Sequence, residues 1–83
     1  MAITYIIFSQ KTDRIYIGAS HEDNVSNRLK AHNSGKVRST KFGKPWKLIR
    51  MEKFHTYTEA RKREIFLKTG VGRNWLKNNV EIR

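Results

Sequence analysis

Two stretches near the start of the chain alternate β-branched or aromatic residues: 3–9 reads ITYIIFS and 14–20 reads RIYIGAS. Between them Gln10, Lys11, Thr12 and Asp13 are all polar and suit a turn, so the pattern predicts a β-hairpin. A loop of these four residues sets Ser9 opposite Arg14, Ile7 opposite Tyr16 and Tyr5 opposite Gly18. Period-two alternation then puts Tyr5 and Tyr16 on one sheet face as diagonal neighbours. Ile6, Phe8, Ile15 and Ile17 line the other face, toward helices. Gly18 leaves open space beside Tyr5, and a loop one residue longer or shorter would undo the register.

Farther along, Asp23 or Asn24 can cap a helix carrying Val25, Leu29 and His32 at helical spacing, with Gly35 ending it. Residues 36–45 show no period, contain Gly43 and the single proline, Pro45, and read as an exposed basic loop. The stretch 46–54 (WKLIRMEKF) reads as a third strand. Thr56-Tyr57-Thr58-Glu59 has the form of a capping box that opens a helix to about Lys68. Gly70 and Gly72 are expected to interrupt the chain before a short helix from about Arg73 to Asn78, anchored by Trp75 and Leu76. The order β-β-α-β-α-α specifies the α+β class, a small three-stranded antiparallel-type sheet with helices packed around it. The 83 residues have room for one domain, spanning 1–83.

Charge changes the picture most. Eighteen Lys and Arg against seven Asp and Glu give a net charge of +11, which points to a polyanionic partner, nucleic acid first. From Arg28 to Arg50 there are eight basic residues and no acid. A second group, Arg61, Lys62, Arg63, Lys68, Arg73 and Lys77, encloses only Glu64. A solvated cationic surface is the plainer reading, yet so long an acid-free stretch favours a face that tracks phosphates. The absence of cysteine excludes disulfides, thiolate zinc sites and cysteine nucleophiles, and fits a cytoplasmic location. No apolar run approaches membrane-spanning length, and the start Met1-Ala2-Ile3-Thr4 has no leader-like character. No phosphate loop, HExxH or Gly-x-Ser-x-Gly is present, so no small organic cofactor is expected.

A few polar groups stand out. Glu64 falls four residues after Ala60 and three before Leu67, on the side of its helix expected to be buried. It could pair with Arg61 or Lys68 as a structural carboxylate, or hold one hard divalent cation. Arg28 and His32 stack on one helix face, although each alone would be ordinary. Tyr5 and Tyr16 taken singly would pass as core residues.

Their order along the chain resembles the GIY-YIG nuclease family, particularly its small standalone bacterial members. The two signature tripeptides stand here as Ile3-Thr4-Tyr5, with the glycine replaced, and Tyr16-Ile17-Gly18, intact. Residues 27–32 (NRLKAH) match the family's Arg-x-x-x-His helix. Residues 59–64 (EARKRE) with Leu67 and Lys68 match its metal-binding helix, and residues 68–76 (KTGVGRNWL) match its ending. The resemblance implies metal-dependent hydrolysis of DNA phosphodiesters, with Mg²⁺ the expected ion and Mn²⁺ its substitute. It implies Tyr5, Tyr16, Arg28, His32 and Glu64 as catalytic residues and Glu64 as the metal ligand. Either Tyr5 or His32 would serve as base, and Asn74, Asn78 or Asn79 could join the site.

Lys30, Lys36, Arg38, Lys41 and Lys44 are the candidates for holding strand phosphates. Phe42, Trp46 and Tyr57 could stack on unpaired bases, Trp46 having the stronger claim to the core. Little sequence preference is expected, with single-strand or branched-structure selectivity open and a partner protein able to supply more. Repair, restriction, homing and mobile-element roles are all compatible. The alternative is an inactive nucleic-acid-binding module on the same scaffold.

Overall fold

The computed structural model describes residues 1–80. Strand β1 (Ala2–Ser9) pairs antiparallel with β2 (Arg14–Ser20), with Tyr5 opposite Gly18, Ile7 opposite Tyr16 and Ser9 opposite Arg14. This is the register that a four-residue polar loop imposes. Strand β3 (Trp46–Phe54) pairs antiparallel along the other edge of β1, giving the order β2-β1-β3. The β1–β3 register shifts between Ile6 and Ile7, which face Arg50 and Leu48.

Strand β1 is buried along its whole length because helices cover both faces of the sheet. Helix α1 (Val25–Asn33) packs Val25 and Leu29 on the face carrying Ile3, Tyr5 and Ile7. Helices α2 (Tyr57–Leu67) and α3 (Gly70–Asn79) place Leu67 and Leu76 against Ile6 and Ile17 on the opposite face. Two apolar clusters thus sandwich the sheet, and the chain forms the expected α+β fold, ordered β-β-α-β-α-α.

The helix starts follow local chemistry. Asn24, rather than Asp23, caps α1 by accepting from the Ser26 amide, and Gly35 follows its end at φ +81°. Thr56 and Glu59 form the capping box of α2. Helix α3 departs from the sequence expectation. It begins at Gly70, with Thr69 as its cap accepting from the Gly72 amide, so both glycines lie in its first turn. The reason is close packing: a Cβ on Gly72 would sit 2.0 Å from the Phe66 carbonyl oxygen and 2.6 Å from Leu67 Cα. The loop 36–45 also departs from expectation. It is not exposed throughout, since Thr40 and Gly43 are buried and Lys41–Gly43 forms one 3₁₀ turn.

Candidate active site

Tyr5 points across β2, in the space that Gly18 leaves. A Cβ on Gly18 would lie 2.6 Å from both the Cζ and the hydroxyl oxygen of Tyr5. Since β2 is an edge strand, the phenol is carried to the side of the sheet, where α1 meets it. There its hydroxyl lies 2.9 Å from Nε2 of His32, a fully buried side chain. His32 Nδ1 in turn lies 2.8 Å from Oγ1 of Thr40, whose hydroxyl donates to the Val37 carbonyl at 3.3 Å.

The direction of this chain follows from the Thr40–Val37 bond. A hydroxyl carries one proton. With Thr40 giving its proton to Val37, its oxygen accepts from His32 Nδ1–H, leaving a lone pair on Nε2. Tyr5 therefore donates to His32. Thr40 is held from its other side too, since its carbonyl accepts from the Trp46 indole at 2.8 Å. Sequence reasoning passed over Thr40, because it lies in an aperiodic loop eight residues beyond His32 and belongs to no local motif.

Burial and then the nearby Arg28 charge push His32 down to about 4, so it is neutral at neutral pH. Burial pushes the Tyr5 phenol up; the Arg28 guanidinium beside it opposes that, while Tyr16 and Glu64 add to it. The Tyr16 ring centroid lies 6.4 Å from that of Tyr5 and 4.9 Å from that of His32. Tyr5, Tyr16 and His32 thus lie together, with the charges of Arg28 and Glu64 both felt at the Tyr5 phenol. Four elements carry them, β1, β2, α1 and α2, and of these β2 and α2 pack together in the fold.

Arg28 contributes an unusual feature. Its Nε–H is buried and has no hydrogen-bond partner among the described residues. An orphaned buried donor costs about 1–3 kcal/mol, and a guanidinium matches the oxygens of a phosphate.

Glu64 is 6% exposed, with Oε1 2.7 Å from Arg61 and Oε2 2.6 Å from Lys68. Burial would raise its pKa, but Lys68 and Arg61 outweigh that and hold the carboxyl below its ordinary value. It makes both of the structural ion pairs that the sequence allowed. It is also a buried, ionised oxygen donor, and among the described residues no group of three or more His, Asp or Glu is placed to hold a metal. That donor set fits an ion taking one protein carboxylate and completing its shell with water and phosphate oxygens, as Mg²⁺ does.

Lys30, Lys36, Arg38, Lys41 and Lys44 are all exposed at the end of α1 and in the loop after it. Of the three aromatics offered for base stacking, Tyr57 has one ring face covered by His21, the centroids 3.8 Å apart and nearly parallel. Trp46 is buried, with its backbone held by the Asn33 side-chain amide. Phe42 alone stands free, 74% exposed. Asn74, Asn78 and Asn79 lie exposed on α3, and Asn79 donates to the Trp75 carbonyl within its own helix.

The sequence model of the GIY-YIG catalytic domain matches residues 1–78. No curated protein and no solved structure matches the chain. With a match over nearly the whole chain, the tyrosines of Ile3-Thr4-Tyr5 and Tyr16-Ile17-Gly18 converging beside Arg28 and His32, this chain belongs to the GIY-YIG family of nuclease domains.

Proposed function

We propose that this chain is a metal-dependent endonuclease that hydrolyses DNA phosphodiester bonds with little sequence preference. The orphaned Nε–H of Arg28 beside the neutral Tyr5–His32 pair carries this reading, because an anion completes it. Arg28 takes a non-bridging oxygen of the scissile phosphate and matches the negative charge that grows there. Tyr5, 1% exposed in the free protein, meets the attacking water as Arg28 turns toward the phosphate.

Tyr5 then takes the water's proton while handing its own to His32 Nε2. Tyrosine and histidine share the part of the base, the phenol touching water and the imidazole receiving the proton. Phosphate binding favours this transfer, since it offsets the Arg28 charge that helps hold His32 down. Tyr16 supports the Tyr5 ring and borders the substrate. Glu64 would hold the divalent ion, Mg²⁺ or Mn²⁺, which when bound supplies Lewis-acid stabilisation of the phosphoryl and leaving 3′ oxygens.

Lys30, Lys36, Arg38, Lys41 and Lys44 track the backbone. Phosphate contacts carry no sequence information directly, hence the weak preference. A cytoplasmic role in DNA repair, with a partner protein adding specificity, is compatible with such an activity.

A second reading is a non-catalytic nucleic-acid-binding module, favoured by the two ion pairs that give Glu64 a structural task. Labelled single-stranded, duplex and branched DNA incubated with Mg²⁺, Mn²⁺ or EDTA separates the two. A nuclease cuts only with metal, and Glu64→Gln abolishes cutting while retaining most binding. Arg28→Ala costs cleavage far more than affinity. Binding without cutting under every metal would establish the module instead.

A further inference from the structure

Beside Tyr16 a cavity of about 600 Å³ opens to solvent, walled by Arg14, Thr40, Phe42 and Trp46. We propose that this cavity is a subsite for one unpaired nucleobase of the substrate strand, next to the scissile phosphate. The proposal rests on the nuclease reading and names its substrate class: DNA with an unpaired nucleotide at the cut, as in single strands, flaps and gaps.

Three observations carry it. The first is position. Tyr16 is shared, one ring lining the cavity and also packing 4.9 Å from His32, centroid to centroid. The cavity and the Tyr5–His32 pair therefore share Tyr16 as a common wall.

The second is the chemistry of the walls. Tyr16 and Trp46 are aromatic and fixed, Trp46 by its bonds to Thr40 and Asn33. Phe42 lines the same cavity, 74% exposed, with Lys41 Nζ 5.0 Å from its ring centroid. Rigid aromatic walls with a free phenyl at the rim suit the π-face of any base, which gives stacking without sequence reading. Among the described residues no acid lines the cavity, and Arg14 adds a cation to it.

The third is contrast. A second cavity, of about 650 Å³ at the hairpin end, is lined by Asp13 together with Lys11 and Phe8, and touches none of the candidate catalytic residues. Volume alone does not make a base site; of these two cavities, the first is the one that shares a residue with the catalytic cluster. A base inside an intact duplex would have to be unpaired and unstacked to enter, so paired DNA is the poorer substrate.

Two readouts test the subsite. In the first, a thymidine decamer containing one 2-aminopurine is titrated with the Glu64→Gln protein. Its fluorescence is quenched on binding, and Phe42→Ala in the same background removes the quenching. In the second, Phe42→Ala raises KM for single-stranded DNA by roughly 5- to 150-fold, the range that loss of one base stack produces. Phe42→Trp keeps the wild-type value. Tetrahydrofuran abasic residues flanking the cut cost wild type a similar factor and cost Phe42→Ala nothing more.

Equal cleavage of duplex and single strand overturns the proposal, as does quenching unchanged by Phe42→Ala. If wild type cuts no DNA with any metal, the nuclease reading fails. The quenching then still decides the subsite, because binding is read without cutting. Phe42 is exposed, so its removal does not threaten the fold.

Discussion

Gly18→Ala is the sharpest perturbation of the site, because it adds one methyl group where Tyr5 already lies. The new Cβ would sit 2.6 Å from the Tyr5 Cζ and hydroxyl oxygen and 3.0 Å from Cε1. Carbon atoms prefer about 3.5–4.0 Å, so the phenol must retreat by roughly 1 Å. It has little room to do so, being 1% exposed and bonded to His32 Nε2 at 2.9 Å. Overpacking of this kind costs about 1–3 kcal/mol, and the strained Tyr5–His32 bond adds about 1 kcal/mol. At about 4–8 °C per kcal/mol for a chain this size, Tm falls by roughly 8–32 °C.

A displacement of about 1 Å in a group that handles the proton can lower cleavage by roughly 100-fold. The rate is to be measured at saturating DNA, well below the variant's own Tm, so that unfolding does not account for the loss. Gly70→Ala is the control. A Cβ there meets nothing within 4 Å, and Ala in the first turn of α3 should raise stability by about 0.4–1 kcal/mol with cleavage unchanged. If Gly18→Ala kept the wild-type rate and Tm, the placement of Tyr5 over Gly18, and the proton path built on it, would be wrong.

The hydrogen-bond chain and the buried charges give two further expectations. Thr40→Val leaves His32 Nδ1–H without an acceptor, lowering stability by about 1–3 kcal/mol and cleavage with it, while Thr40→Ser restores both. Ring ¹⁵N shifts of His32 report the cause directly: Nδ1–H in wild type and Thr40→Ser, a tautomer mixture in Thr40→Val. Finding Nε2–H in wild type would refute the assignment. On pH, His32 is pushed from 6.5 down to about 4 in the fold, so the unfolded chain binds the extra proton between those values. Stability therefore rises with pH across that window, and the His32 contribution is complete only above it. Glu52, paired with Arg50 and Arg63, and Glu64 are both held below 4.5 by ion pairs that outweigh their burial, and they add a further loss as pH falls below that value. Urea midpoints across this range check the sign; an unchanged midpoint between pH 6.5 and about pH 5 would contradict a buried neutral His32.

Local patterns determined much of this protein. Alternation in 3–9 and 14–20 set the hairpin, and the four polar residues between them set its register, since the loop length fixes which residues pair. From that register alone Tyr5 fell opposite Gly18 and diagonal to Tyr16. The spacing of Arg28 and His32, and of Ala60, Glu64 and Leu67, fixed which side chains share a helix face, because 3.6 residues make a turn.

Only the tertiary structure decided the rest. Thr40 comes from a loop with no period, and what makes it a partner of His32 is a long-range meeting that no neighbour in sequence encodes. Gly70 and Gly72 read as breaks, yet they open α3, because the Thr69 cap and the close passage of Gly72 against Phe66 and Leu67 outweigh the weak helix propensity of glycine. Tyr57 looked free to stack until His21, thirty-six positions away, covered it. A chain of 83 residues writes its short-range geometry into neighbouring side chains. Which buried donor finds which acceptor is settled only when both faces of the sheet are packed, since a buried polar group left without a partner costs as much as the fold can spare.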